Sequence, residues 1–170
     1  MATTVPAHSL SMAQQALGLR SVFPDADLVL KSTRLRWTGR LLPSDLSRIY
    51  TVQIAYTRGR YPAVRVLTPQ LKATETGFLP HTYNDGTLCL HDAGQWNEGM
   101  LIVDTIVPWT AEWLLHYEIW LATGEWLGDH DPSGPLPDHY DDLPILQRPG
   151  HRHPAGARHL RRRGARPRTT

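Results

Sequence analysis

The chain contains a single cysteine, Cys89, in 170 residues. That excludes an internal disulfide and a thiolate-based metal cluster, since each needs more than one sulfur. No apolar run approaches the roughly 18–20 residues that cross a bilayer. The N-terminus lacks the basic start and apolar core of a secretory signal. A cytoplasmic protein is therefore the expectation. Acidic residues are missing from Arg148 onward, a stretch that holds eight arginines. With eight of the eighteen basic residues there, ten remain against sixteen acidic residues before it, a net of −6. The positive charge belongs to the end of the chain, so nucleic-acid binding by the folded part does not follow from it.

The chain as a whole has ordinary globular composition, with 41% hydrophobic residues. This length suits one domain of about 100–150 residues and a tail. The domain is expected over 1–146. A basic tail with little to bury, expected to be disordered, covers 147–170.

Residues 8–19 read as a short helix, with Ser9 or Ser11 as its cap, ended by Phe23-Pro24-Asp25. Residues 27–42 alternate at Leu28, Leu30, Leu35 and Trp37, which predicts one strand with an interruption near Ser32. Residues 48–57 form the clearest strand, with Tyr50, Val52, Ile54 and Tyr56 on one face. A third strand, bracketed by Pro62 and Pro69, is expected at a sheet edge. Residues 105–123 carry the strongest helical pattern, with Trp109, Trp113, Tyr117 and Trp120 in one core stripe that Leu114 and Leu121 widen. Glu112 and Glu118 fall on its outer face, and Gly124 suits its closing position. Between strand and helix lies a long glycine-rich loop, 70–103; such loops in compact domains are usually functional or disordered. Its embedded aromatic residues favour the former.

Cys89 sits in that loop. A lone cysteine is either a buried small hydrophobe or a nucleophile, and its surroundings decide. Asn84-Asp85-Gly86 is a turn signal, because these residues tolerate positive φ. The turn returns the chain so that Leu88 and Leu90 anchor in the core. In an extended segment Cys89 then points the opposite way, rigid and accessible.

The order Tyr61-Pro62, Asp85-Gly86, Leu88-Cys89-Leu90, Trp96 and a helix from about 105 resembles the ubiquitin-conjugating enzymes over roughly residues 8–127. The run Thr105-Ile106, Pro108-Trp109, Glu112-Trp113-Leu114, Tyr117-Glu118, Trp120-Leu121, Thr123-Gly124 and Trp126 resembles a bacterial branch of that family. Its members are encoded in type II, short operons of cyclic-oligonucleotide-based antiphage signalling (CBASS). The resemblance implies an α+β fold with an N-terminal helix, an antiparallel meander of three to four strands, an active-site loop and a C-terminal helix. It implies that Cys89 takes up the C-terminal carboxyl of a cyclic-oligonucleotide synthase, a nucleotidyltransferase similar to cyclic GMP-AMP synthase, as a thioester. At the offset where the familiar family has asparagine stands His81, in a His-x-Tyr pattern similar to the bacterial branch.

A thioester keeps a carboxyl activated yet reactive to amines, and a thiolate suits that exchange. The chemistry needs an activated thiol, a donor for the oxyanion and an acid residue for the incoming amine. Cys89 and His81 are the catalytic candidates, with Tyr83, Asp85 and Asp92 supporting. His91 and Asp92 otherwise read as solvated loop residues. His116, His130 and His139 with Asp129, Asp131 and Asp138 match no metal motif, and neither metal nor cofactor is expected. The rival readings are a binding module that holds the synthase without chemistry and a nucleic-acid binder that acts through the basic tail.

Overall fold

A computed structural model describes residues 9–128. The expected tail at 147–170, the domain limit at 146 and the histidines and aspartates from 129 onward lie outside the described residues. No helix among the described residues is long and apolar enough to cross a membrane.

The first helix, α1 (Met12–Val22), begins at a reciprocal capping box. The Ser11 hydroxyl accepts from the Gln14 backbone N–H, and the Gln14 side-chain oxygen accepts from the Ser11 N–H. Ser11 rather than Ser9 is the cap because only Ser11 has a Gln three residues on. Phe23 ends the helix and sets its ring edge-on to Trp37, with centroids 5.2 Å apart.

Four strands follow as an antiparallel meander in the spatial order β1 (Asp27–Leu30), β2 (Arg34–Leu41), β3 (Tyr50–Thr57) and β4 (Ala63–Thr68). The segment expected as one interrupted strand is thus a hairpin: Lys31 N–H donates to the Arg34 carbonyl, and Leu30 pairs with Leu35. The apolar alternation changes phase between Leu30 and Leu35. A continuous strand cannot do that without turning its apolar side to water, so the chain reverses instead. Leu35, Trp37 and Leu41 of β2 face Tyr56, Ile54 and Tyr50 of β3, and all six are buried. The other face of the sheet carries exposed Arg34, Arg36 and Arg40, as suits an antiparallel sheet with one wet side. β4 is an edge strand, as its prolines predict.

After the long loop come a 3-10 turn (Ile102–Asp104) and helix α2 (Ile106–Thr123). Gly124 closes α2 at φ 78°, a left-handed conformation that costs glycine nothing. The buried face of α2 is Ile106, Val107, Thr110, Trp113, Leu114 and Tyr117. Trp109 and Trp120, expected in the core stripe, flank it half-buried. Leu121 is exposed and lines an open groove with Leu46, Arg48 and Lys72 instead. Buried residues of both helices, the inner sheet face and loop residues Leu88 and Trp96 form one core.

Three polar ties join the layers. The Tyr50 hydroxyl donates to Glu118 at 2.9 Å, so this glutamate faces the sheet rather than only water. The Tyr56 hydroxyl donates to Glu98 at 2.9 Å, which pins the opposite end of β3 to the loop. Gln15, fully buried, accepts from Ile102 N–H at 2.9 Å and donates to the Met100 carbonyl at 2.8 Å. It satisfies two backbone groups where the loop enters the 3-10 turn. Gln15→Leu should leave both unpaired at about 1–3 kcal/mol each. A urea titration is expected to show a loss of about 2–4 kcal/mol; a loss under about 0.5 kcal/mol would contradict this account.

Candidate active site around Cys89

The site is built on a small hairpin inside the long loop. Gly86 N–H donates to the Tyr83 carbonyl at 2.8 Å, closing a turn over Asn84 and Asp85 with Gly86 at φ 80°. Asp85 locks that turn by accepting from the Thr87 N–H at 2.9 Å and the Thr87 hydroxyl at 2.6 Å. From β4, Arg65 reaches the same carboxylate at 2.9 Å. Partial burial pushes the Asp85 carboxyl up, but the Thr87 bonds and the Arg65 guanidinium outweigh it, and the net shift is below the usual range. Asp85 is therefore an ionised brace of the turn.

The turn sets a register. Thr82 bridges Leu88, flanked by hydrogen bonds from Tyr83 N–H to the Thr87 carbonyl and from Cys89 N–H to the His81 carbonyl, both 2.8 Å. In this pattern the backbone of His81 stands opposite that of Cys89, and that of Tyr83 opposite that of Thr87. Leu88 is buried at 5% exposure, and its N–H donates to the Val64 carbonyl of β4 at 2.9 Å. Leu90 packs half-buried against the core. The two leucines anchor the segment as expected, and Cys89 between them is half-buried.

The Tyr83 hydroxyl donates to Cys89 Sγ across 3.4 Å. Burial pushes the Cys89 thiol above its ordinary range; the Tyr83 hydrogen bond opposes that rise, and the Asp92 carboxylate adds to it. The resting group is a protonated thiol, with Tyr83 the neighbour that favours its thiolate.

His81 occupies the left-handed region, at φ 48°. Such a conformation in a non-glycine residue persists only where the surroundings over-determine it. Its carbonyl accepts a second hydrogen bond, from Trp113 Nε1 of α2 at 3.1 Å. Its ring stacks on Trp126, with centroids 4.9 Å apart and planes 30° apart.

His91 departs from the expectation of a solvated loop residue. Its ring packs between Tyr61 and Trp109, with centroids 5.2 Å and 5.3 Å away, and its Nδ1 lies 2.9 Å from the Asp92 carbonyl. Burial, partly opposed by Asp92, lowers its pKa, so a neutral ring bridges the sheet edge to α2. Asp92 is itself half-buried, with its N–H held by Gln95 at 2.8 Å.

The structure thus brings the Tyr83 hydroxyl to the Cys89 thiol, joins His81 to Cys89 through the backbone, uses Asp85 to shape the turn and leaves Asp92 as a charge felt at the thiol. Trp113, Trp126 and Arg65 were missed as contributors to the site. Complementary charge marks Arg65 and Asp85, but nothing local in the sequence links Trp113 or Trp126 to His81. Among the described residues, no three His, Cys, Asp or Glu side chains converge as metal ligands would.

The sequence model of a family described as type II CBASS E2 protein matches residues 15–133, a span that runs from within α1 through the sheet, the hairpin and α2. No curated protein matches the chain.

The electrostatics at Cys89 make a signed prediction. Alkylation by iodoacetamide should speed up as pH rises past the ordinary thiol range, because only the thiolate reacts. At a fixed pH of about 8, Tyr83→Phe removes the donor to sulfur and should slow alkylation roughly two- to fivefold, while Asp92→Asn removes a repelling charge and should accelerate it. Equal rates in all three proteins would contradict the assigned causes.

Proposed function

Since the chain belongs to the type II CBASS E2 protein family, we propose that it is a conjugating enzyme with a ubiquitin-conjugating-like fold whose thioester forms on Cys89. The observation that carries this reading is a half-buried thiol on a rigid hairpin, opposite His81 and within hydrogen-bonding distance of the Tyr83 hydroxyl. The loaded group is the C-terminal carboxyl of a cyclic-oligonucleotide synthase, presented in activated form as an acyl adenylate or a thioester.

The Cys89 thiolate attacks the carbonyl carbon of the activated carboxyl. A carbon–sulfur bond forms, and the adenylate or thiolate departs with the bonding electron pair. Tyr83 stabilises the thiolate before attack and when it leaves again. In discharge, an amine attacks the thioester carbon and loses a proton, and the carbon–sulfur bond breaks to release the Cys89 thiolate. The oxyanion formed on the way is stabilised by a donor N–H, and His81, opposite Cys89 in the hairpin, is the side chain proposed for it. Asp92 is the carboxylate proposed to receive the proton of the amine, whereas Asp85 serves by keeping the turn closed.

The resting state of Cys89 favours a second reading. Burial holds the thiol in its protonated form, which fits a module that binds the synthase without forming a bond. That reading requires Cys89→Ala to capture the synthase as well as the native chain does and to support defence equally.

Mixing the protein with the synthase encoded beside it, with activating components present, should give a joint mass that thiol reductant cleaves. Cys89→Ala should give none, and Cys89→Ser should give a joint mass that resists the reductant. Removing residues 148–170 should leave adduct formation intact. A native protein that never forms the reductant-sensitive species would sink the enzymatic reading.

A further inference from the structure

Resting on the role proposed above for His81, we infer that Trp126 is a positioning residue for discharge of the thioester, acting through the His81 ring. His81 is gripped twice from the α2 side. Trp113 holds its backbone by donating Nε1–H to the carbonyl. Trp126 holds its side chain by stacking at 4.9 Å. An imidazole on a single tether rotates about its two side-chain bonds, and a broad aromatic face against it selects one orientation.

Trp126 is itself built into place. The left-handed Gly124 turns the chain back at the end of α2, with its N–H donating to the Trp120 carbonyl at 2.8 Å. The Glu125 N–H then donates to the Thr123 hydroxyl at 3.1 Å, which steers the next residue. The indole lands between Trp113 and His116, with ring centroids at 5.6 Å and 5.8 Å. Gly128 completes the seat, because a Cβ at that position would meet Trp126 Nε1 at 2.4 Å. The helix is already terminated at Gly124 and its buried face ends at Tyr117. Beyond that end, Trp126 packs half-buried against the core at Trp113 and from there reaches the His81 ring.

The test needs neither the native acceptor nor an activating enzyme. The full chain is charged at Cys89 by exchange with the 2-mercaptoethanesulfonate thioester of a short glycine-ended peptide. A carbon–sulfur bond to Cys89 forms as the small thiolate leaves. After excess reagent is removed, single-turnover discharge by free L-lysine is followed by mass spectrometry. Trp126→Leu keeps apolar bulk without a π face and should slow discharge about five- to tenfold, with charging changed less than twofold. Trp126→Phe should recover most of the rate. In a His81→Ala background, Trp126→Leu should slow discharge no further, since its effect passes through the missing ring. In the native chain, a His81 ring-proton resonance displaced upfield by the indole should return towards its ordinary position in Trp126→Leu. The inference is overturned if Trp126→Leu discharges like the native chain, or slows both backgrounds equally. If His81→Ala alone discharges at the native rate, the role of His81 fails and the inference with it. If His81→Ala is slow while Trp126→Leu is normal, only the inference fails.

Discussion

The carbonyl oxygen of His81 is the point on which the site depends. It accepts from Cys89 N–H at 2.8 Å and from Trp113 Nε1 at 3.1 Å. The first bond fixes the register of the hairpin that carries the cysteine. The second fastens that hairpin to the longest helix, at a residue whose other side lies in the core. A carbonyl has two lone pairs, and using both here leaves His81 in a left-handed backbone conformation that a free loop would abandon. The reactive thiol owes its position to a hydrogen-bonded junction rather than to loop sequence alone.

The same economy runs through the rest of the loop. A segment of over thirty residues with little regular structure must still pair its backbone groups and bury enough to stay folded. Leu88 and Trp96 supply the apolar anchors. Gln15 and Glu98 supply polar partners from opposite directions, the first reaching out from α1 and the second reaching back to β3. The hydroxyl of Tyr61, two residues before β4, accepts from Gly94 N–H at 3.1 Å. The loop is thus held from α1, from both outer ends of the sheet's second half and from α2. That explains how a half-buried cysteine can be rigid without belonging to a strand or a helix.

Electrostatics at the site divide the acidic residues by task. Asp85 is held ionised by Thr87 and Arg65, so its charge is spent on the turn. The field of Asp92 reaches the thiol and opposes its ionisation. Tyr83 acts against that field at the sulfur itself. Burial is the largest influence on the thiol, which leaves a guarded nucleophile. Such a group gains reactivity when an approaching partner changes its surroundings.

Much of this was legible in the sequence. Period-two alternation at Tyr50, Val52, Ile54 and Tyr56 named the buried face of β3, and Asn84-Asp85-Gly86 named the turn before Cys89. Gly124 marked the end of α2. These features depend on neighbours a few residues away, so local stereochemistry and solvation were enough to specify them. The hairpin within 27–42 was also encoded, in the phase change between Leu30 and Leu35, although alternation alone suggested one strand. The seats of His81, His91 and Glu118 were decided only by tertiary structure. Each is set by a partner 18 to 68 positions away: Trp113 and Trp126 for His81, Tyr61 and Trp109 for His91, Tyr50 for Glu118. Sequence determined which residues would be buried or turned. The packing of α2 against the loop decided which of them would face the thiol, because a stacked ring or a shared carbonyl exists only once distant segments have met.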